Sequence, residues 1–384
     1  MTDGDSNSTE PITERTMVAT VAQMATFKPS IESREHYMVV VEGWEVGKRI
    51  RLRDKPLKLG RGASCDVVIP DSQVSGQHCE LSGKSSQTDA SIMDLNSTNG
   101  SFVNGKRIQG TVRFRPGALL RIGAQTFRHE YLLPSEVRKA EEMGRDLEKA
   151  RHYVQSLLPA PIRSGPILTD WMYLPSTELG GDAFGYHQLT ESTFAGYLVD
   201  VSGHGVGAAM HSVSVMNVLR QRALPNTDFH DPSQVLRSLN DMFQMESHDG
   251  MYFSAWYGVY DIRTRLLRYA SAGHHPAYLV DSARESARPL QTRNLVIGAM
   301  PGLDFSAASV EVAPGSNVYV FSDGVFEVTT RQETQWGLAD FLPLLTAPAV
   351  EGSTESSRIY SAVAKVAQPG PLEDDFSLMV VTFL

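Results

Sequence analysis

Four stretches in the second half of the chain set aspartates among glycines at the ends of apolar runs. They are "ELGGDAFG" (Asp182), "LVDVSGHG" (Asp200), "VYVFSDGVFE" (Asp323) and "PLEDDFSLMVV" (Asp374 and Asp375). Asp200 and Asp323 close apolar runs, Asp374 opens one, and Asp182 follows two glycines. An ionised carboxylate taken out of water is very costly unless something compensates it. No Lys or Arg stands beside these residues in sequence, so hard divalent cations bound through oxygen are the natural counter-charge. One strand-end aspartate is ordinary turn chemistry. Four in one segment ask for more.

The glycines after Asp200 allow a second reading. Gly203, Gly205 and Ala208 satisfy G-x-G-x-x-A, the turn that cradles a dinucleotide pyrophosphate. That turn needs an acidic residue about 20 positions on, at the end of the next strand. Here the corresponding region is a helical pattern followed by the loop "LPNTDFHD". Asp200 would also set a negative charge against the pyrophosphate. The dinucleotide reading is rejected.

A different chemistry is spaced along the first half. Gly60-Arg61 closes a strand, Ser75 and His78 lie in "VSGQHCEL", and "DLNSTNGSFVNG" carries Thr98, Asn99, Gly100, Asn104 and Gly105. A guanidinium converging with hydroxyl and amide donors would bind phosphate oxygens. Each cluster by itself favours plain turn chemistry, in which Asn-Gly pairs supply the positive φ of tight hairpins and need no ligand.

The elements that must hold these residues fall into segments. Residues 1–35 are polar and acidic without a period, which predicts a tail. Residues 36–133 give short strands at close intervals ("YMVVVEG", "LKLGRG", "ASIMDL", "TFRHEYLL"), which predicts an all-β sandwich. Residues 134–159 read as a linker helix, N-capped by Ser135 and stopped by Pro159, either a short dimeric coiled coil or an amphipathic helix lying on a neighbour. Residues 160–384 mix strands ("TFAGYLVDVS", "YFSAWYGVYDI", "NVYVFSDG", "DFSLMVVTFL") with helices at "GAAMHSVSVMNVLRQRA" and "DPSQVLRSLNDMFQM", and predict α+β. "GSTESS" at 352–357 reads as a loop.

Composition narrows the partners. The chain has 384 residues, two cysteines and a formal charge of -9. That charge argues against bulk binding to nucleic acid or an anionic membrane, both polyanions. The polar amino terminus lacks the pattern of a secretory signal and no apolar run is long enough to span a bilayer. Two cysteines suit a reducing compartment. A cytoplasmic location is expected.

Taken in order, G-R, S-x-x-H, S-T-N-G and N-G over residues 36–133 resemble the forkhead-associated (FHA) domain, a β-sandwich whose end loops bind phosphothreonine peptides. The resemblance implies that Arg61, Ser75 and Thr98 touch phosphate, that Asn99 holds the peptide backbone, and that His78 buttresses the loops. Gly76 stands where relatives often carry a further donor. Thr9, with Ile12 three residues on, matches the spacing such domains prefer, so a phosphorylated tail is a candidate ligand beside a phosphothreonine protein.

Likewise "GGD", "DVSGHG", "SAGHHP", "FSDG" and "DDFSL" resemble, in order, the SpoIIE-like branch of the PPM metal-dependent Ser/Thr protein phosphatases. The resemblance implies an α/β/β/α sandwich holding two Mn²⁺ or Mg²⁺ ions. Asp200 would bridge them, the Val201 carbonyl would add an oxygen, Asp323 and Asp374 would hold one ion, and Asp182 would sit in or just outside the shell. The expected reaction is attack on a phosphomonoester by a metal-activated water, with Asp200 and Asp182 in the catalytic set. His204 is either the proton donor or a loop histidine, and His274 and His275 suggest metal ligation or, the better reading, a turn role before Pro276. Relatives often carry a second acid where Gly185 stands, a departure expected to weaken one metal site. The implied substrate is a phosphorylated protein, in this family typically an anti-sigma-factor antagonist. The alternatives are a catalytically weak or inactive phosphopeptide-binding scaffold, separated by metal binding without turnover, and a small-molecule phosphatase.

Overall fold

The computed structural model describes residues 32–384, so Thr9 and Ile12 lie outside the described residues. Two compact units divide at Met143–Gly144. Among the described residues no helix is long and apolar enough to cross a membrane.

The first unit is a sandwich of two sheets. One sheet orders Arg49–Arg51, Glu35–Glu42, Gln125–Leu132, Leu119–Ile122, Ser101–Val103 and Lys106–Arg107; the other orders Val67–Val68, Leu57–Gly60, Cys79–Gly83, Ala90–Asp94 and Thr111–Phe114. Alternate residues of both sheets, Met38, Leu59, Leu81, Ile92 and Phe127 among them, fill one buried core. Cys65 and Cys79 are both free and buried, Cys79 within that core.

The helix Pro134–Leu157 starts one residue before the expected cap. Ser135 lies inside its first turn, and the Glu136 carboxylate takes the Leu133 N–H at 2.8 Å. Pro134 explains the shift, because its fixed φ suits the first helical position and it lacks the amide hydrogen that position leaves unused. Val137 is the helix's buried residue, while Leu157 and Leu158 pack against the core of the second unit.

The second unit stacks two antiparallel five-stranded sheets between helix pairs. One sheet orders Asp182–Gln188, Thr193–Val201, Phe253–Asp261, Leu266–Ala272 and Ala308–Glu311; the other orders Ile167–Leu174, Phe376–Phe383, Ser316–Phe321, Ala277–Val280 and Ala287–Leu290. Strand alternation sorts side chains into three apolar layers. From Thr193–Val201, Phe194 and Leu198 point between the sheets, whereas Tyr197, Val199 and Val201 face the helices Val206–Gln221 and Pro232–Met242. On the other sheet, Phe376, Leu378 and Val380 pack under the helices Leu338–Thr346 and Glu355–Val366. The segment expected as a loop at 352–357 holds a helix start, since Thr354 caps Glu355–Val366 by accepting from the Ser357 N–H.

Candidate active site

The sheet register puts the aspartates where the two sheets open. Asp182 and Asp200 are direct partners on adjacent strands. Both share the alternation of Phe184 and Leu198, so both face the space between the sheets. Asp323 follows the strand Ser316–Phe321 and starts a single 3₁₀ turn. Asp374 precedes Phe376–Phe383, the next strand in the same sheet. Ser322 ties those two ends together: its hydroxyl donates to Asp375 O at 2.9 Å and accepts from Ser377 N at 3.1 Å.

A cleft of about 620 Å³ opens here, and Asp200, Val201, His204, Asp323 and Asp374 all line it. The Val201 side chain is buried among the helix-side residues, so what it presents to the cleft is backbone. Asp182 is set further in, only 3% exposed, and its Oδ2 has no hydrogen-bond partner. Sequence reasoning missed Glu327, which joins the wall because the turn after Asp323 folds Glu327 N onto Asp323 O at 2.7 Å. The signal was the four-residue spacing in "DGVFE".

The glycines have specific jobs. A Cβ on Gly181 would come within 2.9 Å of Val201 O, and Cβ atoms on Gly180 and Gly324 would collide with Asp375. Gly203 and Gly205 carry φ of 89° and 85°, the left-handed region that turns the chain from strand into helix. Gly185 is a different matter. It lies one position off the alternation of Asp182 and Phe184, and a Cβ there would run into the Tyr197 hydroxyl. An acid at 185 would face the helix layer rather than the cleft, so its absence takes nothing from the acidic cluster, contrary to the expectation of a weakened metal site.

The neighbouring aspartates divide the work. Asp375 is buried and accepts from Gly181 N at 2.7 Å, Ser176 N at 2.8 Å and Ser176 Oγ at 3.0 Å. Asp374 is exposed to the cleft.

Electrostatics show what the cluster lacks. Burial first, then repulsion from Asp200 and Asp375, raises the Asp182 carboxyl well above the usual range. Burial, then Asp323 and Asp374, pushes Asp200 up to about 7. Asp323 is raised by burial and then Glu327, and Asp374 by burial and by Asp323 and Asp375, against one favourable bond from Asp375 N–H. Among the described residues no Lys or Arg lines the cleft. Carboxyls held together without a cation, one with an orphaned buried oxygen, fit a divalent metal. Among the described residues no three acidic, His or Cys side chains stand close enough to enclose an ion by themselves. That suits a cation bound through a few carboxylates, with backbone oxygen and water completing its shell.

Of the histidines, His204 is exposed at the cleft and close enough to Asp374 to favour its ionised form. His274 Nδ1 bonds His275 O at 2.7 Å and His275 Nδ1 bonds Pro276 O at 3.1 Å. Burial holds both rings neutral, His275 down to about 4.

In the first unit Arg61, Ser75, Thr98 and Asn99 gather at one end of the sandwich. Ser75 Oγ accepts from Thr98 N at 3.0 Å, and Asn99 Nδ2 donates to Gln73 O at 2.8 Å. Arg61 N donates to Ser75 O at 2.9 Å, while its side chain stays exposed. His78 is fully buried beneath them. Its Nδ1 accepts from Ser75 N at 3.1 Å, which leaves the proton on Nε2 to bond Gly100 O at 3.3 Å. One neutral imidazole thus braces both loops. A Cβ on Gly62 would come within 2.8 Å of Gly76 O, whereas a Cβ on Gly76 would meet nothing within 4 Å, so the close approach requires glycine at 62 and leaves room for a side chain at 76.

Two antiparallel sheets between helix pairs, with an acidic cleft at their edge, define a PP2C-like domain. The SiaA-PP2C domain of Pseudomonas aeruginosa shares the fold, with a TM-score of 0.54 at 19% identity over 64% of this chain and 99% of that one. The family described as Stage II sporulation protein E (SpoIIE) matches residues 190–384 and the FHA domain matches residues 57–123; the chain belongs to the SpoIIE family and carries an FHA domain. Phosphoserine phosphatase RsbP of Bacillus subtilis is 31% identical over 189 residues, 48% of this chain and 46% of that protein. Phosphoserine phosphatase RsbU of the same organism is 27% identical over 243 residues, 63% of this chain and 71% of that protein. The chain thus spans less than half the length of RsbP.

Proposed function

We propose that the chain is a metal-dependent phosphoprotein phosphatase that hydrolyses phosphoserine or phosphothreonine; the two Bacillus relatives are named phosphoserine phosphatases. The observation that carries the reading is a cleft lined by Asp200, Asp323, Asp374 and Glu327 with no Lys or Arg among the described residues of its wall. Asp200, the Val201 carbonyl, Asp323 and Asp374 would hold Mn²⁺ or Mg²⁺, with Asp182 behind them. Two such cations, when bound, lower the pKa of a shared water and polarise the phosphoryl oxygens.

The chain's own residues do the rest. Gly180 and Gly181 bring the Asp182 strand against Asp375 and Val201 O. Asp375 fixes the 176–182 loop, and His204 stands at the mouth as the candidate donor to the leaving serine or threonine oxygen. The FHA unit would take a phosphothreonine peptide on Arg61, Ser75, Thr98 and Asn99, and so target or regulate the enzyme. A cytoplasmic setting, an anti-sigma-factor antagonist as substrate and pairing through the helix Pro134–Leu157 belong to the same reading.

The test is turnover of an aryl phosphate by the full chain with Mn²⁺ or Mg²⁺, with EDTA, and by Asp200→Asn. Turnover that stops with chelator and with the variant supports the phosphatase. A folded chain that binds metal and turns nothing over is the scaffold instead.

A further inference from the structure

The cleft wall holds six carboxyls, from Asp200, Asp323, Glu327, Glu373, Asp374 and Asp375, and no guanidinium or ammonium. On one side of the cleft, residues 202–210, 241–252 and 294–300 are laced into a single rim. Ser202 N donates to Tyr252 O at 2.9 Å, Met245 N to Gly298 O at 3.1 Å, Ile297 N to Phe253 O at 2.9 Å, and Asn240 Nδ2 to Met300 O at 3.0 Å. Met251 Sδ lies 4.0 Å from where a Cβ on Gly207 would stand. Tyr252 and Val296 of this rim also line the cleft, so the two surfaces are continuous.

These segments expose six large apolar side chains: Val206, Met210, Met242, Tyr252, Leu295 and Met300, from 37% for Met242 to 63% for Met210. Clustered exposed apolar groups mark interaction sites, and methionines adapt to varied partners. The charges on these segments are acidic, Asp241, Glu246 and Asp249, each exposed, and the exposed Arg293 flanks them at one edge.

We propose that this rim is the docking surface for the protein substrate, and that it selects phosphorylated segments carrying aliphatic or aromatic residues together with Lys or Arg close to the phosphoserine. The inference rests on the phosphatase reading. Apolar side chains of the substrate cover the rim, and its cations face Asp241, Glu246 and Asp249, while the phosphate enters the cleft next door. The rim thereby separates protein substrates from small phosphates, which reach the cleft without touching it.

Three synthetic phosphoserine peptides of equal length test this on the full chain with Mn²⁺. The first is flanked by Leu, Ile and Lys, the second by Gly, Ser and the same Lys residues, the third by Leu, Ile and Glu. The first is expected to exceed each of the others at least about tenfold in kcat/KM, equivalent to ~1.4 kcal/mol. In the double variant Met210→Ser, Leu295→Ser the advantage of the first over the second falls to about threefold or less, while aryl phosphate turnover is unchanged. Aryl phosphate turnover with equal kcat/KM on all three peptides, or with selectivity that survives the double variant, overturns the docking surface alone. No turnover of aryl phosphate by wild type overturns the phosphatase reading and this inference with it.

Discussion

Asp374 and Asp375 are adjacent, chemically identical, and assigned opposite jobs, which a pair of substitutions can separate. Asp375 is buried and takes three hydrogen bonds of 3.0 Å or less, from Gly181 N, Ser176 N and Ser176 Oγ. Bonds to a charged acceptor are worth ~1.5–3 kcal/mol each, but neighbours sharing one carboxylate do not add fully. Asp375→Ala strands two backbone N–H groups in a loop held against the sheet edge, so the expected loss is ~3–5 kcal/mol. For a unit of this size each kcal/mol moves Tm by ~2–4 °C, giving a drop of roughly 10 °C. Asp374→Asn removes a charge that burial, Asp323 and Asp375 all disfavour, so the metal-free Tm should hold or rise. What Asp374→Asn should lose is the stabilisation by Mn²⁺, which for a cation at about 100 times its Kd is ~2.7 kcal/mol. The assay is thermal unfolding of both variants and wild type, with EDTA and with Mn²⁺. Unfolding of Asp375→Ala within 2 °C of wild type by the scale above, or a loss for Asp374→Asn in EDTA as large as that for Asp375→Ala, would mean that the two carboxylates do not divide these roles.

Three further outcomes are expected. Glu355 is held at about 2, because hydrogen bonds from Arg358 and Arg284 outweigh the burial that would raise it; its folded pKa lies below its unfolded one, so its contribution is full above the unfolded value and fades as pH falls toward 2. Glu355→Gln should therefore cost ~3–5 kcal/mol at neutral pH by stranding two arginines, and its deficit against wild type in urea unfolding should shrink from pH 4.5 downward; a deficit constant with pH would contradict the pairing. Gly185→Asp should lower stability by ~2 kcal/mol or more through overpacking at Tyr197 without tightening Mn²⁺ binding in calorimetry, and tighter binding would put position 185 in the cleft. His78→Ala should weaken a phosphothreonine peptide by roughly tenfold, since charge-assisted contacts depend on both loops that His78 braces; unchanged affinity in fluorescence anisotropy would make His78 a packing residue only.

Much of the acidic cluster was legible in sequence because strand-end carboxylates beside glycine stand out against apolar runs. Glu327 was not, since it reaches the cleft only through the 3₁₀ turn after Asp323. The orientation of Gly185 was equally hidden: a motif records that an acid is missing, while the strand alternation of "GGDAFG" decides which face would have carried it. Among the β elements, Thr111–Phe114 went unseen because its burial rests on Phe114 alone. The helix Glu355–Val366 was masked by its Ser- and Thr-rich start, where Thr354 is a cap rather than loop filler. Pro343 inside Leu338–Thr346 hid another helix for the usual reason that proline reads as a breaker.

If the cleft acids hold divalent cations, as proposed, the ions can be counted. Calorimetric titration of Mn²⁺ into the full chain, run beside Asp200→Asn, tests this most directly. About two ions per wild-type chain are expected, with proton release on binding as the raised Asp200 carboxyl ionises, and loss of both signals in the variant. Wild-type protein that takes up no Mn²⁺ or Mg²⁺, or Asp200→Asn that binds like wild type, would contradict the proposal.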